Sequence, residues 1–243
     1  MIPEIKKTTV QHKTWDSNFF GFPVGDLYAL CDEQFFSQQL KNYKRDGYRL
    51  LYWKVDSEDV PSLQIADTLQ FTAFDTKITY RLNLNLTKPK LKEDSPVKKY
   101  TGAITKELIE LGLQSGDYSR FKMDKNFPAG TFEKMYEEWI SNSFSAENAD
   151  AIFTLADNNV MQAFATVFNN EEDMEIVLIA VAPEFRKKGF GKMLVEYVSA
   201  YAYKNEYKNL YVVTQEQNKP ACQLYESCGF SPIKKEFIYH IWL

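Results

Sequence analysis

The 243-residue chain is 44% hydrophobic and 26% charged with a net charge of −4, enough to bury one sizeable core or two smaller ones. Neither half carries a long basic tract, which argues against DNA or RNA as the main partner. The start, MIPEIKKTTVQHKTWDS, scatters charge where a secretory leader needs an apolar run, and no stretch has the length of a membrane span, so a cytoplasmic protein is expected. Cys31, Cys222 and Cys228, with His12 and His240, fall at no metal-ligand spacing; neither a metal site nor a His-based triad is expected.

In chain order, an aromatic-rich opening (WDSNFFGFPVGDLYAL) precedes a predicted helix near 33–46 and a strand in YRLLYWKV. A helix near 60–69 and a strand in DTKITYRLNL follow. Residues 85–100, polar and carrying Pro89 and Pro96, read as a linker. Beyond it, TKELIELGLQ and TFEKMYEEWISNSF show helical spacing. AIFTLA, VMQAFATVF and MEIVLIAVA then read as an antiparallel meander, and a helix near 189–205, a strand NLYVVT, a helix near 219–228 and a last strand EFIYHIWL complete the chain. Laid on itself at an offset of 159, the chain matches residues 48–84 to 207–243 with eight identities, among them Tyr52/Tyr211, Pro61/Pro220 and Tyr80/Tyr239. Each copy reads strand, helix, strand. The copies differ where Tyr225 faces Ala66, Gly229 faces Gln70, and the glycine loop at 186–191 faces LYALCD, so the first copy keeps the framework and lacks the candidate chemistry.

That loop, PEFRKKGFGKML, follows a strand ending near Ala182 and opens a helix. Glycines let the backbone approach a ligand, amides and the positive helix end face the same anion, and Arg186, Lys187, Lys188 and Lys192 add charge at the rim. It holds neither a Walker loop nor a complete Rossmann fingerprint. In NKPACQLYESCGF, Asn218 is an N-cap with Pro220 near the first helical position, and Gly229 is a helix-ending glycine. The loop and this motif about thirty residues on resemble the GCN5-related N-acetyltransferase superfamily over residues 98–243.

The resemblance implies an α/β (α+β) protein. Residues 98–243 would form an acetyl-CoA-binding catalytic domain with a mixed, splayed sheet flanked by helices, and residues 1–90 a smaller, incomplete acetyltransferase-like domain. The backbone of Ile179 and Val181 would hold the pantetheine arm, and the diphosphate would lie on amides from Arg186 through Lys187, Lys188, Gly189, Phe190 and Gly191 to Lys192, with Asn218 also on the cofactor side. Tyr225 would protonate the departing thiolate as general acid, its phenol staying protonated at neutral pH. Glu175 or water would take the amine proton. No metal is implied.

WDSNFFGFPVGDL (15–27), SGDYSRFKMDKNF (115–127) and MYEEWISNSFSAENADAIF (135–153) further resemble the bacterial dTDP-fucosamine acetyltransferases, homodimers that serve surface polysaccharide synthesis. That resemblance implies a nucleotide-linked amino-dideoxy sugar as acceptor, with Tyr118, Ser119 and Arg120 at its diphosphate and Trp15 stacking on its base. The neighbouring Ser115, Phe19 and Phe20 could share those roles, and Arg120 could instead pair with Asp117 or Asp124. A protein N-terminus or polyamine remains an alternative acceptor, and an acetyl-CoA-binding sensor without turnover an alternative function.

Overall fold

The computed structural model describes residues 7–30, 32–90, 94–143, 151–157 and 160–243. Its first half runs β1 (Lys7–His12), α1 (Thr14–Phe20), β2 (Val24–Leu30), α2 (Glu33–Arg45), β3 (Leu50–Asp56), α3 (Val60–Thr68), β4 (Ala73–Asn83) and α4 (Leu84–Thr87). There follow β5 (Lys98–Lys99), α5 (Lys106–Ser115), α6 (Arg120–Met123), α7 (Thr131–Ser143), β6 (Ala151–Asp157), β7 (Val160–Asn170) and β8 (Asp173–Val181). A 3-10 turn at Pro183–Phe185 leads to α8 (Phe190–Lys204), β9 (Asn209–Gln215), α9 (Lys219–Ser227) and β10 (Ser231–Trp242).

Helix starts follow from side chains that satisfy exposed amides. Asp32 accepts from Phe35 N (2.9 Å), Asp59 from Ser62 N (3.2 Å), Thr105 from Leu108 N (3.3 Å) and Asn218 from Ala221 N (3.3 Å). The stretch expected to be a bare linker is partly structured. Asn83 caps the short α4 through Leu86 N (3.1 Å), and buried Val97 precedes β5, which pairs with β6. Pro96 is tolerated just ahead of a two-residue edge strand because an edge needs few donors.

The chain forms two compact units, Met1–Lys77 with Lys234–Leu243, and Ile78–Ile233. The first unit takes in Lys234–Leu243 because compactness follows strand pairing, here β3 with β10, rather than chain order. In the first unit the strands run β1-β2-β3-β10, antiparallel except for β2/β3. Leu27, Phe36, Trp53, Ile65 and Tyr239 build its core under α2 and α3. In the second unit the order is β4-β9-β8-β7-β6-β5. One core, with Phe153, Ala165, Ile176, Val198 and Tyr225, packs α8 and α9 on the sheet, and another, with Leu108, Leu111, Phe164 and Ala180, packs α5 on it.

The repeat seen in the sequence thus becomes a strand exchange. β3-α3-β4 corresponds to β9-α9-β10, yet β3 pairs with the end of β10, and residues 78–83 of β4 border β9. Each copy's last strand completes the other copy's unit. Tyr80 on β4 accordingly donates its hydroxyl to Glu226 on α9 (2.9 Å).

Candidate active site

The site begins where two strands part. β8 pairs with β7 from Asp173 to Val181, but with β9 over only four residues, Asp173–Ile176 against Asn209–Val212. The divergence coincides with a β-bulge. Val167 faces Ile176 while Thr166 faces Leu178, so Val177 is the extra residue, and a bulge bends its strand. Fully buried Thr166 accepts the Leu178 amide on Oγ1 (3.2 Å), satisfying a donor near the register shift. Val177 and Val213, the first unpaired residues on either side, are 43% and 39% exposed. The Ala182 amide bonds to Gln162 O on the β7 side (2.9 Å), and strand alternation therefore turns the backbone of Ile179 and Val181 toward the opening.

The loop closes the wide end. Lys187 (φ +60°) and Gly189 (φ +85°) are left-handed, and only glycine holds that conformation without strain. Gly189 is the N-cap of α8 and contributes no side chain, so no side-chain cap bond stands at that helix start. A β-carbon at Gly191 would lie 3.1 Å from Leu224 Cδ2 and 3.7 Å from Val181 Cγ2, so the second glycine serves close packing of helix on strand and helix. Lys187, Lys188 and Lys192 are exposed, with Lys188 Nζ 5.0 Å from the Phe185 ring and Lys192 3.9 Å from Glu196. Phe190 stacks on Phe185 (5.9 Å). Arg186 departs from a simple rim cation. Its Nε donates to Val181 O and its Nη2 to Gln114 Oε1, both at 3.0 Å.

Tyr225 lies on α9, 2% exposed, its ring 5.9 Å from those of Tyr80 and Phe230. Burial, with Cys222 and Cys228 adding to it, pushes the phenol well above its usual value near 10, so it stays protonated at neutral pH. Asn218 caps the same helix. Cys222 is a buried thiol and Cys228 a half-buried one, and Cys31 lies outside the described residues. Among the described residues no group of His, Cys, Asp and Glu side chains is placed to hold a metal ion. No helix of those residues is long and apolar enough to cross a membrane.

The residues expected to meet the acceptor are spread along the chain. Trp15 is on α1 of the first unit, stacked on Phe19 at 5.3 Å. In the second unit, Tyr118 is 39% exposed, and Ser119 is buried and spends its hydroxyl capping α6 through Phe121 N (3.3 Å). The Arg120 guanidinium lies 4.7 Å from the Phe121 ring. Lys122 Nζ lies 2.8 Å from Asp117, and Asp124 accepts from the Asn126 amide (2.9 Å). Of the stretch 135–153, residues 144–150 lie outside the described ones. Sequence reasoning missed Val177, Val213 and Gln114. Two valines in strand-like runs carry no signal of exposure, and Gln114 reads as an ordinary helix residue.

Residues 116–230 match the model of the Acetyltransferase (GNAT) family. A curated relative, the [Ribosomal protein bS18]-alanine N-acetyltransferase of Escherichia coli K12, is 28% identical over 95 residues, 38% of this chain. The match spans 64% of that relative, under two thirds of its length. Among solved structures, a functionally unknown conserved protein of Staphylococcus epidermidis superposes with a TM-score of 0.65 at 14% identity, covering 98% of this chain and 92% of that one. A GCN5-related N-acetyltransferase of Sphaerobacter thermophilus superposes with a TM-score of 0.61 at 12% identity, covering 97% and 76%. The chain thus has the fold of the GCN5-related N-acetyltransferases, and the match to the family's model, residues 116–230, falls within its second unit.

Proposed function

We propose that the protein is an acetyl-CoA-dependent N-acetyltransferase whose second unit carries the chemistry. The observation that carries this reading is the parting of β8 from β9 directly before a glycine loop and a helix start without a side-chain cap. In it, the amides from Arg186 to Lys192 bind the diphosphate, and the backbone of Ile179 and Val181 holds the pantetheine arm. The Ile179 amide stabilises the oxygen on which negative charge grows as the amine attacks the thioester carbon. The C–N bond forms and the C–S bond breaks. Tyr225 donates its proton to the leaving sulfur, and Glu175 or water accepts the proton lost by the amine.

For the acceptor, we infer a nucleotide-linked amino-dideoxy sugar such as dTDP-4-amino-4,6-dideoxygalactose, with Tyr118 and Arg120 at its diphosphate. A second reading, acetylation of a protein N-terminus, draws on the likeness to the bS18-alanine acetyltransferase. One assay separates them. Protein and acetyl-CoA are mixed with the amino sugar nucleotide or with an alanine-starting peptide, and free thiol is followed. Release with the sugar is the expected outcome, release with the peptide alone selects the second reading, and binding of acetyl-CoA without release on either favours a sensor.

A further inference from the structure

Arg186 links the phosphate loop to a helix on the other face of the sheet. Its partners, Val181 O and Gln114 Oε1, are both uncharged, and Gln114 lies in the last turn of α5. Phe185 packs against the core that holds Leu108 and Leu111 of α5, so a polar and an apolar contact converge on that helix. Little slack follows Gln114. Gly116 N bonds to Leu113 O (3.1 Å), Ser119 N to Gly116 O (2.8 Å) and Lys122 N to Ser119 O (2.9 Å). A β-carbon at Gly116 would stand 2.3 Å from Tyr136 Cε1, so the segment is pressed against α7. The end of α5 is thereby joined through successive short bonds to Tyr118, Ser119 and Arg120.

We propose that Gln114 is a positioning residue and that Arg186 is a latch with two competing partners, the Gln114 amide oxygen and the diphosphate. A guanidinium bonds an anion more strongly than a neutral amide oxygen, so the arriving diphosphate draws Arg186 off Gln114. The end of α5 is then released, and segment 115–120 becomes free to adjust to an acceptor. This rests on the acetyl-CoA reading above, because without a diphosphate at the loop Arg186 has nothing to turn to.

The latch makes predictions of opposite sign for two variants of one residue. Gln114→Leu removes the competing partner, so acetyl-CoA should bind about threefold tighter by calorimetry; Gln114→Glu strengthens the competitor with a charge, so affinity should fall about threefold to tenfold. In amide exchange of the unaltered protein, acetyl-CoA should slow exchange at 186–193 and quicken it at 113–120, and in Gln114→Leu the second response should vanish. Equal affinities for the variants, or weaker binding by Gln114→Leu, would overturn the latch. So would slowed exchange at 186–193 with no response at 113–120, which leaves the acetyl-CoA reading standing. No acetyl-CoA binding by the unaltered protein would remove that reading and the latch with it. Should Gln114→Leu fail to fold, Gln114→Glu against the unaltered protein decides the sign.

Discussion

The two repeat copies share a split sheet but not what surrounds it. In the first unit β2 and β3 pair over Val24–Leu27 and Leu50–Trp53 and then stop, and in the second β8 and β9 stop at the equivalent pair, Ile176 and Val212. A parted sheet is therefore framework. At the mouth of each split a carboxylate is in register with a tyrosine, Asp26 with Tyr52 and Glu175 with Tyr211. In the first unit Lys54 and Lys13 stand 3.4 and 3.6 Å from Asp26, whereas the place of Lys54 is taken by Val213 in the second. The helix starts differ too. Asp32 fills the N-terminus of α2 with its own carboxylate, while α8 begins at Gly189 without a side-chain cap. The first copy meets its helix dipole with its own carboxylate, and the second has no side-chain cap there.

This contrast can be broken experimentally at four places. Tyr225, absent from the first copy, is expected to matter most to rate. Tyr225→Phe should lower turnover by roughly a hundredfold or more while acetyl-CoA affinity stays within about twofold, and undiminished turnover would remove the tyrosine from the mechanism. Transplanting the first copy's charge comes next: Gly189→Asp should weaken acetyl-CoA binding by about tenfold to a hundredfold through repulsion of the diphosphate. Gly189→Asn, matched in size and tolerant of a left-handed backbone, should lose far less, and calorimetry showing equal losses would point to shape rather than charge.

A third test uses pH. In the unfolded chain the Tyr225 phenol loses its proton near pH 10, but in the folded protein burial keeps the proton on. Folded and unfolded states bind equally many protons at this residue below that pH, so the contribution is flat there. Above it the folded state holds the extra proton, and stability should fall by up to about 1.4 kcal/mol per pH unit. Denaturant titrations between pH 9 and 11 should show a shallower fall for Tyr225→Phe, and parallel curves would contradict the buried phenol. The smallest effect concerns Gln70, whose φ of +56° matches the +88° of its counterpart Gly229. Gln70→Gly should gain about 0.5–1 kcal/mol by relieving that backbone, read as a higher melting temperature.

Local chemistry made much of this legible in the sequence. Asp32, Asp59 and Asn218 announce helix starts because a cap acts on its own next turn, and the glycine loop announces itself because Gly189 and Gly191 meet distinct local demands. What stayed hidden depends on pairing at a distance. The bulge at Val177 is invisible because a valine within a strand-like run gives no hint that its neighbour across the sheet has slipped. Strand exchange is equally silent, since β4 and β10 are copies and either could serve either partner. The likeness of Asp26 to Glu175 escaped a gapless comparison because the glycine loop lengthens one copy between its strand and helix. The mismatch of Gly229 with Gln70 is a matter of backbone geometry rather than lost chemistry, since both residues adopt a left-handed φ.

The traded final strands also constrain how this molecule could ever shrink. Deleting residues 1–90, the tidy cut by composition, would strip β9 of its neighbour β4 and strand the tail that pairs with β3. A chain whose repeat copies trade their last strands in this way cannot shed either copy without unpairing a strand of the other.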